Sequence, residues 1–244
     1  MDRRSICMSR NPTQRREPFW HHGHPHKSPA TKCSPKQRSA ITQYVAQHLA
    51  SPSFVIHEVK SELVHVDIHV VPPGPNRAYW FLFTTGMSAE SMDVPYDTGL
   101  VPHAELSLTL PECWKVDLAV WKREPHWFWP IREMKAIAQY PHRYGTWIGE
   151  GHTLASADPP VPFDPTTELA AMLLTDGRLD DSEPVIDAYV ATRLLALWPL
   201  HADELEYKLE HGFHALLDRM RAANITAILD PDRESCVTRN HMLH

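Results

Sequence analysis

LVHVDIHVV (Leu63–Val71), PPGPN (Pro72–Asn76) and AYWFLFTT (Ala78–Thr85) follow one another closely in the chain. In the first run Val64, Val66, Ile68 and Val70 alternate with His65, Asp67 and His69, the period-two pattern of a strand with an apolar and a polar face. The proline-rich stretch supplies a turn. The third run is apolar on both faces, so it predicts a central strand covered from both sides.

Outward from this pair, FVIHEV (Phe54–Val59) and AELSLTL (Ala104–Leu110, ended by Pro111) read as further strands. Ile41, Tyr44, Val45, His48 and Leu49 recur at helical spacing, predicting a helix over Ser39–Leu49 that Ser51-Pro52 stops. A second helix is expected over Ile131–Tyr140, entered through Trp129 and Pro130 and ended by Tyr140-Pro141. Gly145, Gly149 and Gly151 then imply a tight backbone path. Periodicity leaves Glu168–Leu174 and Tyr189–Leu200 open between helix and strand. Over Asp203–Ala223, Leu205, Leu209, Phe213, Leu216, Leu217 and Met220 share one face, which predicts an amphipathic helix ending at Asn224 with a jog at Gly212. The expected fold class is α+β: a mixed, largely antiparallel sheet packed with helices, with a long amphipathic helix near the C-terminus.

The 244 residues, 43% of them hydrophobic, suffice for one sizeable core. A mean hydropathy of -0.37, with no apolar run near the roughly 18 residues a span requires, predicts a soluble chain without a transmembrane helix. The basic N-terminus lacks an apolar stretch after Arg3 and Arg4, so no secretory signal is expected. Cys7, Cys33, Cys113 and Cys236 form no C-x-x-C pair, which points to a reducing, cytoplasmic setting. The net charge of -6 conceals an asymmetry, since residues 1–38 carry nine Lys/Arg against two acids and the remainder is therefore about -13. An acidic body disfavours a specific nucleic-acid partner. Residues 1–38 read as a disordered basic tail rich in His and Pro, residues 39–236 as the domain, and residues 237–244 as a short C-terminal tail. The run His21, His22, His24 and His26 in the first tail is weighed as a metal trap and read instead as solvated chain.

Chemistry is sought first on the His65, Asp67 and His69 face, where side chains two residues apart lie about 7 Å apart at the Cα and can converge on a metal. The alternative, favoured here, is that these groups hydrogen-bond a neighbouring strand or loop. His142 and His152 sit where a general base could, yet a structural role is expected for both, with Gly151, His152 and Thr153 forming a turn. Ser88, after Gly86 and Met87, lacks the second glycine of a nucleophile elbow. Cys113 beside Trp114 is expected to be a buried thiol. Glu204 and Lys208 have the four-residue spacing of a helix-stabilising ion pair. The cluster His126–Pro130 is a core wedge or an exposed hot spot.

The blocks LVHVDIHVVPP, TTGMS, AELSLTLP, WPIREMKAIAQYPH, GEGHT, WPLHADELEYKLEHG and LDPDR resemble, in order and spacing over roughly residues 40–235, the Suppressor of fused family. The resemblance implies a compact α+β domain that binds another protein or peptide, with no catalytic residues and no cofactor. It marks His65, Asp67, His69, Gly86, Met87, Ser88, Glu105, Trp129, Pro130, Tyr140, His142, Gly151, His152, Thr153, Glu204 and Lys208 as binding or family-motif positions. In the animal member a transcription-factor peptide is clamped as an added strand. Bacterial relatives include immunity proteins that neutralise a cognate toxin, a role that an acidic domain facing a basic toxin would suit. The rival is a metal-dependent or acid–base enzyme built on His65, Asp67 and His69.

Overall fold

The computed structural model describes residues 30–61, 63–96, 98–180 and 191–237. The histidine run of the N-terminal tail and residues 238–244 lie outside them. In chain order the first half holds β1 (Thr31–Lys32), α1 (Pro35–His48), β2 (Phe54–Ile56), β3 (Val64–His65), β4 (Asp67–Val71), β5 (Tyr79–Thr85) and β6 (His103–Pro111). There follow α2 (Leu118–Arg123), α3 (Trp129–Tyr144), β7 (Thr153–Ala155), β8 (Leu169–Asp176), β9 (Thr192–His201), α4 (Ala202–His211) and α5 (Phe213–Ala222).

Seven strands form one sheet in the order β2-β4-β5-β6-β9-β8-β7, while β1 and β3 make a separate two-stranded pair. All neighbours in the large sheet are antiparallel except β6 and β9. A parallel pair cannot be joined by a tight turn, and here the connection runs through α2, α3, β7 and β8. The fold is therefore α+β with a mostly antiparallel sheet.

Alternation along the strands divides the core. Ile68, Val70, Leu82, Leu106, Leu108, Met172 and Leu174 face one side and pack with Trp129, Ile131, Met134 and Ile137 of α3. On the other side Val71, Phe81 and Phe83 meet Ile41 and Val45 of α1, and Ala171, Leu173 and Leu200 meet Leu205, Leu216 and Met220 of α4 and α5. Burying each such side chain contributes about 1.5–3 kcal/mol, so the sheet is held from both faces.

Several sequence expectations shift. α1 starts at Pro35 and not Ser39, because the Ser34 hydroxyl accepts from the Gln37 amide at 3.1 Å and proline suits the first helical turn. α3 runs past Tyr140 with Pro141 inside its last turn and stops at Gly145, whose φ is 57°. The long C-terminal helix does carry its expected interruption at Gly212, where φ is 93°, and this divides it into α4 and α5. The open segments at Glu168–Leu174 and before Leu200 are strands. Cys113 is exposed while Trp114 is buried, since the turn after β6 sends the indole inward and the thiol outward.

Candidate functional site

β4 begins, β5 ends and β6 begins at the same end of the sheet, because Asp67 is opposite Thr85. Glu105 stands on β6 at that end, fully buried, on the face away from Leu106. Its carboxylate accepts from the Thr84 hydroxyl (2.6 Å), the Gly86 amide (2.8 Å), and the Ser88 amide (3.1 Å) and hydroxyl (2.6 Å). Those bonds fix the short 3-10 turn Met87–Ala89. Burial pushes the Glu105 carboxyl above its ordinary range, against the lowering effect of the four donors.

The turn is tied from other directions too. Gln37 of α1 donates through Nε2 to the Ser88 hydroxyl and carbonyl, each at 3.0 Å, and His103 donates to the same carbonyl at 2.9 Å. His142 of α3 donates through Nε2 to the Met87 carbonyl at 2.9 Å, and burial lowers its pKa. Gly86 has φ 116°, and a Cβ there would lie 1.9 Å from the His65 carbonyl oxygen. Only glycine fits that crossing.

The polar strand face at HVDIH does not converge as one set. The strand breaks at Val66, whose amide donates to Glu58 Oε2 at 3.1 Å, so β3 and β4 are separate. Asp67 Oδ1 accepts from His57 Nδ1 (3.1 Å), from His65 Nε2 (3.2 Å) and from the Glu58 amide (3.3 Å). This turn towards Asp67 also shortens the strand expected at Phe54–Val59 to Phe54–Ile56. Ser61 donates to Glu58 Oε2 at 2.6 Å and lies 2.7 Å from His65 Nδ1. His69 points elsewhere, 2.9 Å from the Thr85 hydroxyl and stacked on Phe83 with ring centroids 4.9 Å apart. Burial lowers its pKa to about 4. Among the described residues no group of three or more His, Cys, Asp or Glu side chains is arranged to hold a metal ion.

The remaining motif residues serve other places. Trp129 is fully buried against Phe163 and Pro130 opens α3 beside it, so the end of the His126–Pro130 cluster is core, with Trp127 and Phe128 half-buried. Tyr140 rests near Tyr144, with ring centroids 4.8 Å apart. Gly151, with φ 80°, packs on Phe213, and the His152 ring lies 4.3 Å from that of Trp147, with its pKa lowered by burial. Thr153 accepts from the buried Lys208 at 3.5 Å. Glu204 is not a surface helix partner: it is fully buried, pairs with Arg233 at 2.5 Å and accepts from the Cys236 amide at 3.0 Å. Those bonds hold its carboxyl below the ordinary range despite burial.

Gln37, Glu58, Ser61, His103 and Arg233 escaped the sequence reading. Only Gln37 had a local signal, the Ser-x-x-Gln spacing of Ser34 and Gln37 at a helix start. Glu58 and Ser61 bond nearby residues in no recognisable pattern, whereas His103 and Arg233 reach Ser88 and Glu204 from further along the chain.

The fold is α+β, and its motif residues tie strand ends to helices. The sequence profile described as Suppressor of fused protein matches residues 62–234, and the chain belongs to the Suppressor of fused family. No match is found among curated proteins. Among solved structures, the chain of the Sufu–Fu complex superimposes with a TM-score of 0.58 at 15% identity, over 84% of this chain and 93% of that one. The Suppressor of fused homologue of Neisseria gonorrhoeae FA 1090 gives 0.59 at 14%, over 83% and 97%. Drosophila Suppressor of Fused gives 0.57 at 16%, over 83% of this chain but 51% of its own, so this chain spans about half its length.

Proposed function

We propose that this chain is a protein-binding domain that takes up an extended segment of another polypeptide. The observation that carries the reading is the shared fold, because the similar chain of the Sufu–Fu complex was solved with a protein partner and is covered over 93% of its length. Two features of this chain support it. β2 is an outer strand of the sheet with Phe54 38% exposed, and Tyr96 in the stretch after the Met87–Ala89 turn is 93% exposed. A short outer strand flanked by an exposed aromatic suits strand addition, in which backbone bonds give affinity and side-chain contacts give specificity.

The body, at about -13 beyond residue 38, favours a cationic partner. Its concrete form is an immunity protein that neutralises a basic toxin in the cytoplasm. The test is capture from source-cell lysate on the immobilised full chain, with mass spectrometry and elemental analysis of one eluate. A stoichiometric polypeptide lost with Phe54→Asp supports the reading, whereas no polypeptide and a stoichiometric metal that survives alanine replacement of His21, His22, His24 and His26 overturns it.

A further inference from the structure

β1 is an oddity of the topology. Thr31 and Lys32 pair in parallel with Val64 and His65 of β3, outside the large sheet. The place they occupy is made by the end of β5. That strand stops at Thr85, opposite Asp67, and Gly86 turns the chain away directly over the His65 carbonyl. Leu63–His65 therefore runs on past β5 with its edge uncovered by that strand. Carbonyls two residues apart in an extended strand point to the same side, so the Leu63 carbonyl lies on the edge that Gly86 vacates. The Thr31 amide donates to it at 2.8 Å. The Thr31 hydroxyl also donates to the Glu90 carboxylate, just beyond the Met87–Ala89 turn.

The inserted segment alternates as a strand should. Thr31 is half-buried, Lys32 exposed and Cys33 buried at 6% exposure. Directly after it, the Ser34 hydroxyl caps α1. The chain thus performs on itself the strand addition by which extended peptides bind sheet edges. Only two residues pair, so the insertion relies on its tether, which keeps the local concentration high.

We propose that the Leu63–His65 edge is a strand-acceptor site whose built-in occupant is β1. The partner it fits is an extended segment with a β-branched hydroxyl residue, a basic residue and a small apolar residue in succession, which displaces Thr31–Lys32. This rests on the strand-addition reading above but is tested without any outside partner.

The probe is a fluorescent peptide of residues 30–36, Ala-Thr-Lys-Cys-Ser-Pro-Lys, under reducing conditions. In the full chain Thr31→Pro removes the amide donated to Leu63 and releases the occupant. The variant is expected to bind the probe at least about tenfold more tightly than wild type, since freeing a competent site raises the apparent affinity by the fraction released. A probe with Pro in place of its own Thr should bind neither. Cys33→Asp expels the same segment by a second route and should give the same gain, with circular dichroism confirming the fold of either variant. Equal binding to wild type and both variants, or binding to none of them, overturns the proposal. That result would leave lysate capture by the wild type untouched, so the two readings fail separately.

Discussion

Replacing Glu105 tests whether its carboxylate organises the end of the sheet. In Glu105→Ala the two hydroxyls of Thr84 and Ser88 can rotate to other acceptors, but the Gly86 and Ser88 amides cannot. Two orphaned buried amides cost about 1–3 kcal/mol each, so about 2–6 kcal/mol in all. Relief of burying the carboxylate offsets part of this, and a net loss of about 3 kcal/mol is expected. Glu105→Gln keeps one acceptor oxygen for both amides and disturbs only the Thr84 hydroxyl, a loss of about 1 kcal/mol. The two carboxamide and carboxylate proteins also differ with pH. Burial raises the folded pKa of Glu105 above 4.5, so the folded state holds the proton longer than the unfolded chain. Wild-type stability therefore falls as pH rises from about 4.5 through the folded value, and this loss is absent from the Gln variant. Urea unfolding of the three proteins, with amide exchange at Gly86 and Ser88, reads both effects. An Ala variant within about 0.5 kcal/mol of wild type, or less harmful than Gln, would mean that the carboxylate does not hold the turn.

His69 shifts oppositely: with its pKa lowered from 6.5 to about 4, the unfolded state binds the proton first as pH falls, and stability drops across that window by on the order of 3 kcal/mol. His69→Phe should flatten urea midpoints there, and a midpoint drop of wild-type size in the variant would assign the acid loss elsewhere. Gly86→Ala places a methyl 1.9 Å from the His65 carbonyl at φ 116°, so a loss of at least about 3 kcal/mol is expected in thermal unfolding, and a smaller one would show that the crossing relaxes easily. Arg233→Met strands the Glu204 carboxylate, which is fully buried, and should cost about 3–5 kcal/mol in the same assay; partial restoration by adding Glu204→Gln, which removes the charge but keeps an acceptor oxygen for one of the His201 and Cys236 amides, would show that the orphaned charge is the cause.

The strands β2, β4, β5 and β6 were legible from local pattern, and AYWFLFTT reads as central since both of its faces are apolar, whereas the short β1 and β7 carry no such pattern and β8 and β9 no periodicity that separates strand from helix. Interruptions were less legible because their causes are distant. Val66 leaves the strand for the Glu58 carboxylate, whereas the break at Gly212, whose cause is local, was expected. Pro35 and Pro141 illustrate the same limit, since a proline stops or starts a helix according to where the first turn falls. At the candidate site the His65, Asp67 and His69 side chains bond neighbouring groups and do not converge on one point. His65 and Asp67 meet, but His69 faces Thr85, and Glu105 proved to be the centre of a network that no spacing in the sequence reveals.

That grouping bears on where partner specificity resides. Glu105, Ser88, Gly86 and His142 have their hydrogen bonds directed at one another or at the Met87 turn, and Glu204 is committed to Arg233. A buried group already satisfied in this way gives a partner little new to bond, and breaking its bonds to reach a partner would incur the desolvation cost of both groups. Such motif residues hold the strand ends and the Met87 turn in place. Specificity on this reading belongs to side chains at the margins, such as Phe54 and Tyr96, and to the edge beside Leu63–His65. There the Gly86 turn leaves the edge on which Thr31 and Lys32 pair.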